Sequence, residues 1–206
     1  MSKTVRVLGL DPSLTATGWV VCDVDISTSR PKIVDIIELG LSETAPSKLK
    51  GKDKVRVSSD NVARARTQRE CMQSAVTIHG AQIACSEVPS GAQSAKAALA
   101  FGIVIGLLAA LPVPMVEVTP LQVKEAATGD KYADKPEIMQ WALEMTLAHG
   151  GFDNWSFSKK ANEFEVEHEG MFLIKKMEHQ ADAVAVVQAA IATPEFRQLA
   201  EKLASI

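Results

Sequence analysis

The apolar residues of the chain fall into short runs separated by polar turns. Three of these runs predict β-strands at Val5–Leu10, Gly18–Val24 and Lys32–Leu39. The polar turn between the first two is short, which predicts a β-hairpin. Two more apolar runs, Gln82–Ser86 and Pro114–Val118, have the length of short buried strands. The pattern therefore predicts five strands.

Helical spacing of apolar residues accounts for most of the remaining chain. It predicts helices at Asp60–Ile78, Ser94–Leu111, Leu121–Ala127, Lys135–His149, His179–Ala192 and Glu195–Ala204. Either Ser59 or Asp60 is expected to cap the first of these helices. Three consecutive strands followed by alternating helices and strands predict an α/β fold with a mixed sheet. We expect one domain over residues 1–206, with residues 150–169 as an insertion or loop.

Composition indicates a protein that does not enter a membrane. The uncharged stretch Ala97–Val116 is about as long as a bilayer span, but Pro112 and Pro114 interrupt it, and the helix that remains is too short. Three cysteines cannot all pair within one chain, so we expect free thiols in a reducing compartment. Because no signal peptide precedes the first strand, we expect a cytoplasmic protein.

Charge is distributed unevenly along the chain. The net charge is only −3, yet residues 48–69 are strongly basic. Their cations are Lys48, Lys50, Lys52, Lys54, Arg56, Arg64, Arg66 and Arg69. Such a run is ordinarily a solvated surface, but its single sign and the interleaved Gly and Ser favour contacts to phosphates. We take the first five of these cations as candidate DNA contacts.

Carboxylates stand where predicted strands end. Asp11 follows the first strand, Glu87 follows the fourth, and Asp182 opens an apolar helix with His179 one turn before it. Three carboxylates and one imidazole suit Mg²⁺ or Mn²⁺. Two such ions can hold a phosphodiester, activate a water and stabilise the leaving oxygen. Taken alone, any one of these acids favours a solvated strand or helix end, so the hypothesis depends on the whole set.

Four blocks of the sequence resemble the RuvC family of Holliday junction resolvases. They read VLGLDPSLTATGWVV, CSEVPSGAQSAKAALAFGIVIG, VEVTPLQVKEAATGDKYADK and HQADAVAVVQAAI, and they occur in the family's order. The resemblance implies an RNase H-like fold, a mixed five-stranded sheet flanked by helices. It also implies a structure-selective endonuclease that cuts four-way junctions, and other branched DNA, with Mg²⁺ or Mn²⁺ and two ions in each active site.

The resemblance also implies roles for single residues in the metal site. Asp11 matches the ligand on the first strand, and Glu87 matches the ligand on the central strand. Asp182 matches the last ligand, on the C-terminal helix. One turn earlier, where relatives have an acid or a histidine, this chain has His179. Glu178 is the alternative ligand at this place.

DNA contacts follow from the same resemblance. Lys124 and Lys135 fall on basic positions that touch DNA near the cleft, and Lys131 is a nearby substitute. Where bacterial members have an aromatic residue that stacks on bases, this chain has Ser90, which implies little sequence preference. A phage-type or otherwise divergent branch of the family would show such departures, and the expected location is a bacterial or phage-infected cell.

A homodimer is expected because resolving a four-way junction takes two symmetric cuts, which a two-fold dimer supplies. Gly102 and Gly106 lie four residues apart on the predicted helix Ser94–Leu111. They would let a second helix approach closely, or would let this helix pack closely on its own sheet.

Two other classes of function remain open at this point. The turn DPSLTATG also resembles the first phosphate loop of actin-like ATPases and sugar kinases, which carry that loop twice. This chain has one copy, so it would be a phosphotransferase fragment. The second class is a non-catalytic junction-binding protein. All four ligand positions keep metal-binding chemistry, which argues against that class.

Overall fold

The computed structural model describes residues 3–155, 165–168, 171–174 and 177–203. Its strands are β1 Thr4–Pro12, β2 Ala16–Asp25, β3 Lys32–Glu43, β4 Ile83–Glu87, β5 Met115–Val118, β6 Glu165–His168 and β7 Met171–Ile174. Its helices are α1 Val57–His79, α2 Ala95–Ala109, α3 Pro120–Thr128, α4 Lys135–His149, α5 Met177–Ile191 and α6 Pro194–Leu203. All five strands predicted from the apolar runs are present, and so are all six predicted helices.

The main sheet has five strands in the order β3-β2-β1-β4-β5. β2 pairs antiparallel with both β1 and β3, whereas β4 pairs parallel with β1 and β5. This mixed arrangement confirms the predicted fold class. In its register, Asp11 at the end of β1 lies opposite Gly18 on β2.

Helices cover both faces of the sheet. Alternate side chains of each strand point to opposite faces, so apolar residues on both faces must be covered. On β1, Val7 belongs to the apolar core beneath α5, which also includes residues of α3 and α4. Leu8 and Leu10, which point to the other face, belong to a second core that includes residues of α1 and α2. The site described below lies on the α5 side, where the first turn of α5 crosses the sheet.

The start of α1 differs from the prediction. The helix begins at Val57 and not at Asp60, and its N-cap residue, Arg56, makes no side-chain capping bond. The Asp60 carboxylate accepts a hydrogen bond from the backbone N–H of Ser47 at 2.9 Å. Asp60 therefore ties the preceding basic segment to the helix and does not cap it.

Part of the predicted insertion at residues 150–169 lies within the described residues. A short 3₁₀ turn, Phe152–Asn154, leads to the buried Trp155, whose indole N–H donates to the Thr146 hydroxyl at 3.0 Å. Residues 156–164 and 169–170 lie outside the described residues. β6 and β7 form a separate antiparallel pair. The sequence pattern did not predict β7.

Two expectations about composition can be compared with the structure. Within the described ranges, no helix has the length and apolar character needed to span a membrane. All three cysteines are free thiols: Cys22 and Cys85 are buried in the sheet, and Cys71 is half-buried. Burial raises the pKa of the Cys22 and Cys85 thiols, which keeps them protonated.

Candidate active site at the ends of β1 and β4

Two glycines in the sheet allow α5 to lie directly on it. A Cβ atom at Gly18 would overlap the backbone of His179, and one at Gly9 would lie 2.5 Å from the carbonyl oxygen of Ala183. Glycine inside a strand often marks such a close approach of another backbone. Gly9 and Gly18 therefore determine how close the first two turns of α5 come to β1 and β2.

This approach brings the first turn of α5 to Asp11. Because Gly18 pairs with Asp11 across the ladder, a residue above Gly18 also lies beside Asp11. The Nδ1 atom of His179 is 2.7 Å from the Oδ2 atom of Asp11, and both side chains are half-buried. The hydrogen bond to Asp11 raises the pKa of His179, and burial only partly opposes it.

Glu87 and Asp182, the other two predicted acids, lie close enough to Asp11 for its charge to change their pKa values. Burial, followed by the nearby Asp11 charge, raises the pKa of Asp182 to about 7. Glu87, the last residue of β4, has its pKa raised by the same two causes. Nearby carboxylate charge thus makes ionisation of Glu87 and Asp182 more costly, as expected for acids that lie close together. Of the four residues that the sequence singled out, the structure thus puts Asp11 and His179 in contact and places Glu87 and Asp182 within electrostatic reach of Asp11.

The donors of this group fit a hard divalent cation, since such ions prefer carboxylate oxygens and tolerate imidazole. The raised pKa values of Glu87 and Asp182 indicate a shortage of positive charge that a bound cation would relieve. In the part of the chain that the structure describes, no group of three or more His, Cys, Asp or Glu side chains is close enough to hold a metal ion. The direct contact is between Asp11 and His179.

Two lysines lie near the carboxylates. Lys135, the first residue of α4, forms an ion pair with Glu178 on α5 and lowers the pKa of both Glu87 and Asp182. Lys124 on α3 also lowers the pKa of Glu87. Glu178 thus contacts a lysine, whereas His179, the next residue, contacts Asp11.

The basic segment lies on the surface between β3 and α1. Its candidate DNA contacts, Lys48, Lys50, Lys52, Lys54 and Arg56, are all exposed. Gly51–Asp53 forms a single 3₁₀ turn, and the other residues from 44 to 56 have no regular structure. Lys131, between α3 and α4, is exposed as well.

Arg64 has a structural role that the sequence did not reveal. Its guanidinium donates to the Thr44 hydroxyl, the Leu14 carbonyl and the Thr15 hydroxyl, at 3.1 to 3.2 Å. It therefore ties α1 to the β1–β2 turn that follows Asp11. In the sequence it is one of eight clustered cations, so nothing distinguished it from a DNA contact. For the glycines there was a signal, since Gly9 lies inside one predicted apolar strand and Gly18 begins the next.

Comparison with known proteins identifies relatives over most of the fold. No protein-family model matches the chain. The protein of Prochlorococcus marinus (strain MIT 9303) named Crossover junction endodeoxyribonuclease RuvC is 32% identical over 135 residues, which cover 66% of this chain and 79% of that protein. The protein of the same name from Synechococcus sp. (strain CC9311) is 28% identical over 140 residues, which cover 66% and 81% of the two chains.

Solved structures share the fold at lower identity. Thermus thermophilus RuvC in complex with Holliday junction substrate superimposes with a TM-score of 0.59 and 18% identity, and the match covers 90% of this chain and 92% of that one. The Fowlpox virus resolvase, solved with its substrate Holliday junction DNA, has a TM-score of 0.50 and 9% identity, and the match covers 92% and 100% of the two chains.

The fold defines a class of protein. A mixed five-stranded sheet with helices on both faces is the RNase H-like fold, which the solved RuvC structures share. Within that class, the identity to its curated relatives shows that the chain belongs to the RuvC family of crossover junction endodeoxyribonucleases.

Proposed function

We propose that this protein is a structure-selective endonuclease that cuts four-way DNA junctions, and other branched DNA, by metal-dependent hydrolysis of phosphodiester bonds. The observation that carries the proposal is the contact between Asp11 and His179, with Glu87 and Asp182 close enough for the Asp11 charge to raise their pKa values, in a chain of the RuvC family. We place it as one domain in the cytoplasm of a bacterial or phage-infected cell.

Asp11, Glu87, His179 and Asp182 would hold Mg²⁺, or Mn²⁺ as a substitute, with two ions in each active site. Asp11 is central to this assignment, since it contacts His179 and raises the pKa of both other acids. When bound, such ions activate a water and stabilise the leaving oxygen of a phosphodiester.

The other roles at the site are contacts to DNA phosphates, which the cations would make, and metal ligation by His179. Lys124 and Lys135 lie near enough to the acids to lower the pKa of Glu87, so they can hold the phosphates that flank the cut. The exposed cations from Lys48 to Arg56 would contact the backbone of a DNA arm. His179 must be neutral to act as a ligand, because only an unprotonated ring nitrogen has a lone pair to give.

A homodimer would supply the two matched active sites that two symmetric cuts require. Support comes from α2, where a Cβ atom at Gly102 or Gly106 would meet nothing within 4 Å. The alternative that these glycines pack α2 on its own sheet is therefore wrong. Each glycine costs the helix up to about 1 kcal/mol relative to alanine. Leu99 and Ile105, also on α2, are exposed apolar side chains that a partner helix would cover.

Asp11→Asn tests the proposed chemistry. It removes a carboxylate oxygen from the metal site without removing a DNA contact, so cutting of a labelled four-way junction in Mg²⁺ should be abolished. Junction binding, measured by gel shift in Ca²⁺, should be nearly unchanged. A mutant that cuts as well as the wild type would refute the assignment.

The substrate class is tested by offering the wild-type protein four-way junctions, flaps, forks and linear duplex of the same sequence. We expect the fastest cutting on the four-way junction and none on the duplex. On a mobile junction, whose branch point samples many sequences, we expect cuts at many positions, because Ser90 provides no ring to read a base. One dominant dinucleotide among the products would show that sequence preference is present.

A further inference from the structure

An exposed aromatic side chain lies in the loop that leads to Lys135. Tyr132, the one tyrosine of the chain, lies in the loop between α3 and α4, and 75% of its surface is exposed. The ammonium group of Lys131 lies 5.2 Å from the centre of its ring. This is within the range of a cation–π contact, which covers one face of the ring. The other face is open to a ligand.

The loop that carries this ring is held firmly. The backbone N–H of Tyr132 donates to the Asp130 carboxylate at 2.8 Å, and the next residue, Ala133, is buried. Asp134 then starts α4 with a capping box that it forms with Glu137. A group that is already held in place loses less conformational entropy when it binds. The ring is therefore presented to solvent from a fixed support.

Lys135 connects this loop to the carboxylates, because it follows the loop and lowers the pKa of Glu87 and Asp182. Tyr132 is three residues before Lys135, and three residues of extended chain span at most about 11 Å. Lys135 is ion-paired with Glu178, the neighbour of His179 on α5. DNA whose phosphate reaches Asp11 would therefore pass close to this ring.

The charges around the ring favour a nucleic-acid base as its ligand. Lys131 lies in the loop, Lys124 lies on α3 before it and Lys135 begins α4 after it, so cations on both sides of the loop along the chain can contact the phosphates that flank a base. The carboxylates of Asp130 and Asp134 already accept hydrogen bonds from backbone N–H groups within the loop and at the start of α4. Every base has a face that stacks on an aromatic ring, so such contacts tolerate any sequence.

We propose that Tyr132 stacks on a nucleobase exposed at the branch point, while Lys131 packs on the opposite face of the ring. This inference rests on the proposed function, because it assigns a DNA contact to the same site. Stacking on a ring contributes to binding through the base alone, whereas a lysine–phosphate contact does not depend on the base.

A double-mutant cycle between protein and DNA tests this contact. Wild type, Tyr132→Ala and Tyr132→Phe are each titrated in Ca²⁺ against an intact four-way junction and against one with abasic nucleotides at the branch point. On the intact junction, we expect Tyr132→Ala to bind about 5- to 100-fold more weakly than wild type. On the abasic junction the two should bind equally. Tyr132→Phe should match wild type on both, because its ring is retained.

The control is Ile78→Ala, a residue of equal exposure at the far end of α1. It should bind both junctions like wild type. If Tyr132→Ala weakens binding to both junctions equally, or to neither, base stacking is wrong. Cutting of the intact junction by the same wild-type preparation in Mg²⁺ tests the proposed function separately. If the wild type neither binds nor cuts, both proposals fail.

Discussion

Asp182 is the residue at which the electrostatic cost of the site is most evident. Burial and the Asp11 carboxylate raise its pKa from 3.8 to about 7. In the unfolded chain the group ionises near its ordinary value, so above that value the folded state carries the penalty of keeping it charged. The contribution of Asp182 to folding stability therefore declines as pH rises from about 4 through about 7.

Asp182→Asn should consequently stabilise the protein in EDTA at about pH 8, with an upper limit near 4 kcal/mol, since one pKa unit is worth about 1.36 kcal/mol. Thermal melting should show the variant unfolding several degrees above wild type. The difference should vanish at about pH 4, where the wild-type side chain is protonated. Adding Mg²⁺ should favour wild type, because the ion binds its folded state more tightly.

Asp53→Asn is the control for this prediction, because Asp53 is an exposed acid far along the chain from α5. It should leave the melting temperature unchanged at either pH. If Asp182→Asn is no more stable than wild type at about pH 8, the carboxylates do not repel one another as the geometry indicates.

His179 and Glu178 are adjacent, and the structure gives them different neighbours. His179 contacts Asp11, while Glu178 pairs with Lys135. Since the bond to Asp11 favours the protonated ring, activity should fall as pH drops through the ordinary histidine range or just above it. His179→Asp should keep much of the Mg²⁺-dependent activity and move this decline to lower pH, because a carboxylate stays ionised there.

Replacing either residue by alanine separates their roles. His179→Ala should cost orders of magnitude in kcat/KM on a four-way junction, since a misplaced metal misplaces the attacking water. Glu178→Ala should be milder, because it frees Lys135 without removing a donor from the group around Asp11. If Glu178→Ala is inactive and His179→Ala is active, the ligand is Glu178.

At the scale of elements, the basic segment between β3 and α1 is anchored at two points and exposed between them. Asp60 holds Ser47, and Arg64 holds Thr44 and the β1–β2 turn. Its lysines are thus attached to the hairpin that carries Asp11. A DNA arm bound along this segment would be oriented relative to the site.

Changing Lys50, Lys52 and Lys54 to Gln should weaken binding to every DNA sequence. The dependence of log K on log salt should become less steep by about 0.9 for each phosphate that the variant no longer neutralises. Fluorescence anisotropy at several salt concentrations measures both effects. The matched control replaces Lys3, Arg30 and Lys32, exposed cations at the opposite end of the sheet, by Gln. If the salt dependence of the variant with Gln at positions 50, 52 and 54 is unchanged, the segment is a solvated loop that does not contact DNA.

At the scale of the whole molecule, the open face of α2 is the surface through which the proposed dimer would form. A dimer has two active sites and a monomer has one. Gly102→Leu should convert a dimer into a monomer without unfolding α2, because nothing within the chain occupies that space. Sedimentation velocity gives the mass of the particle, and circular dichroism gives its helix content. The monomer should nick junctions without coordinating two cuts.

Ser74→Leu, on an exposed position of α1, controls for adding an apolar side chain to a helix surface. It should leave the mass of the particle unchanged. A wild-type protein that sediments as a monomer at every concentration, with or without junction DNA, would contradict the proposed dimer.

Much of the fold was determined by the sequence itself. Apolar runs define the strands, and helical spacing defines the helices, because a strand or helix must bury one face and the periodicity of side chains is local. The same local rule puts Asp11 and Glu87 where their strands end. The pattern places the first turn of α1 three residues late, since Arg56 precedes the helix without a side-chain cap and Asp60 bonds to Ser47 instead.

Tertiary structure decided what depends on how elements meet. Neighbouring helix residues point about 100° apart, so the choice between His179 and Glu178 beside Asp11 depends on how α5 sits on Gly9 and Gly18. Likewise, nothing local distinguishes a glycine that faces the sheet from Gly102, which faces away from it. Local periodicity reports that a face is buried, but only the packed chain determines what lies against it, because those contacts join residues far apart in sequence.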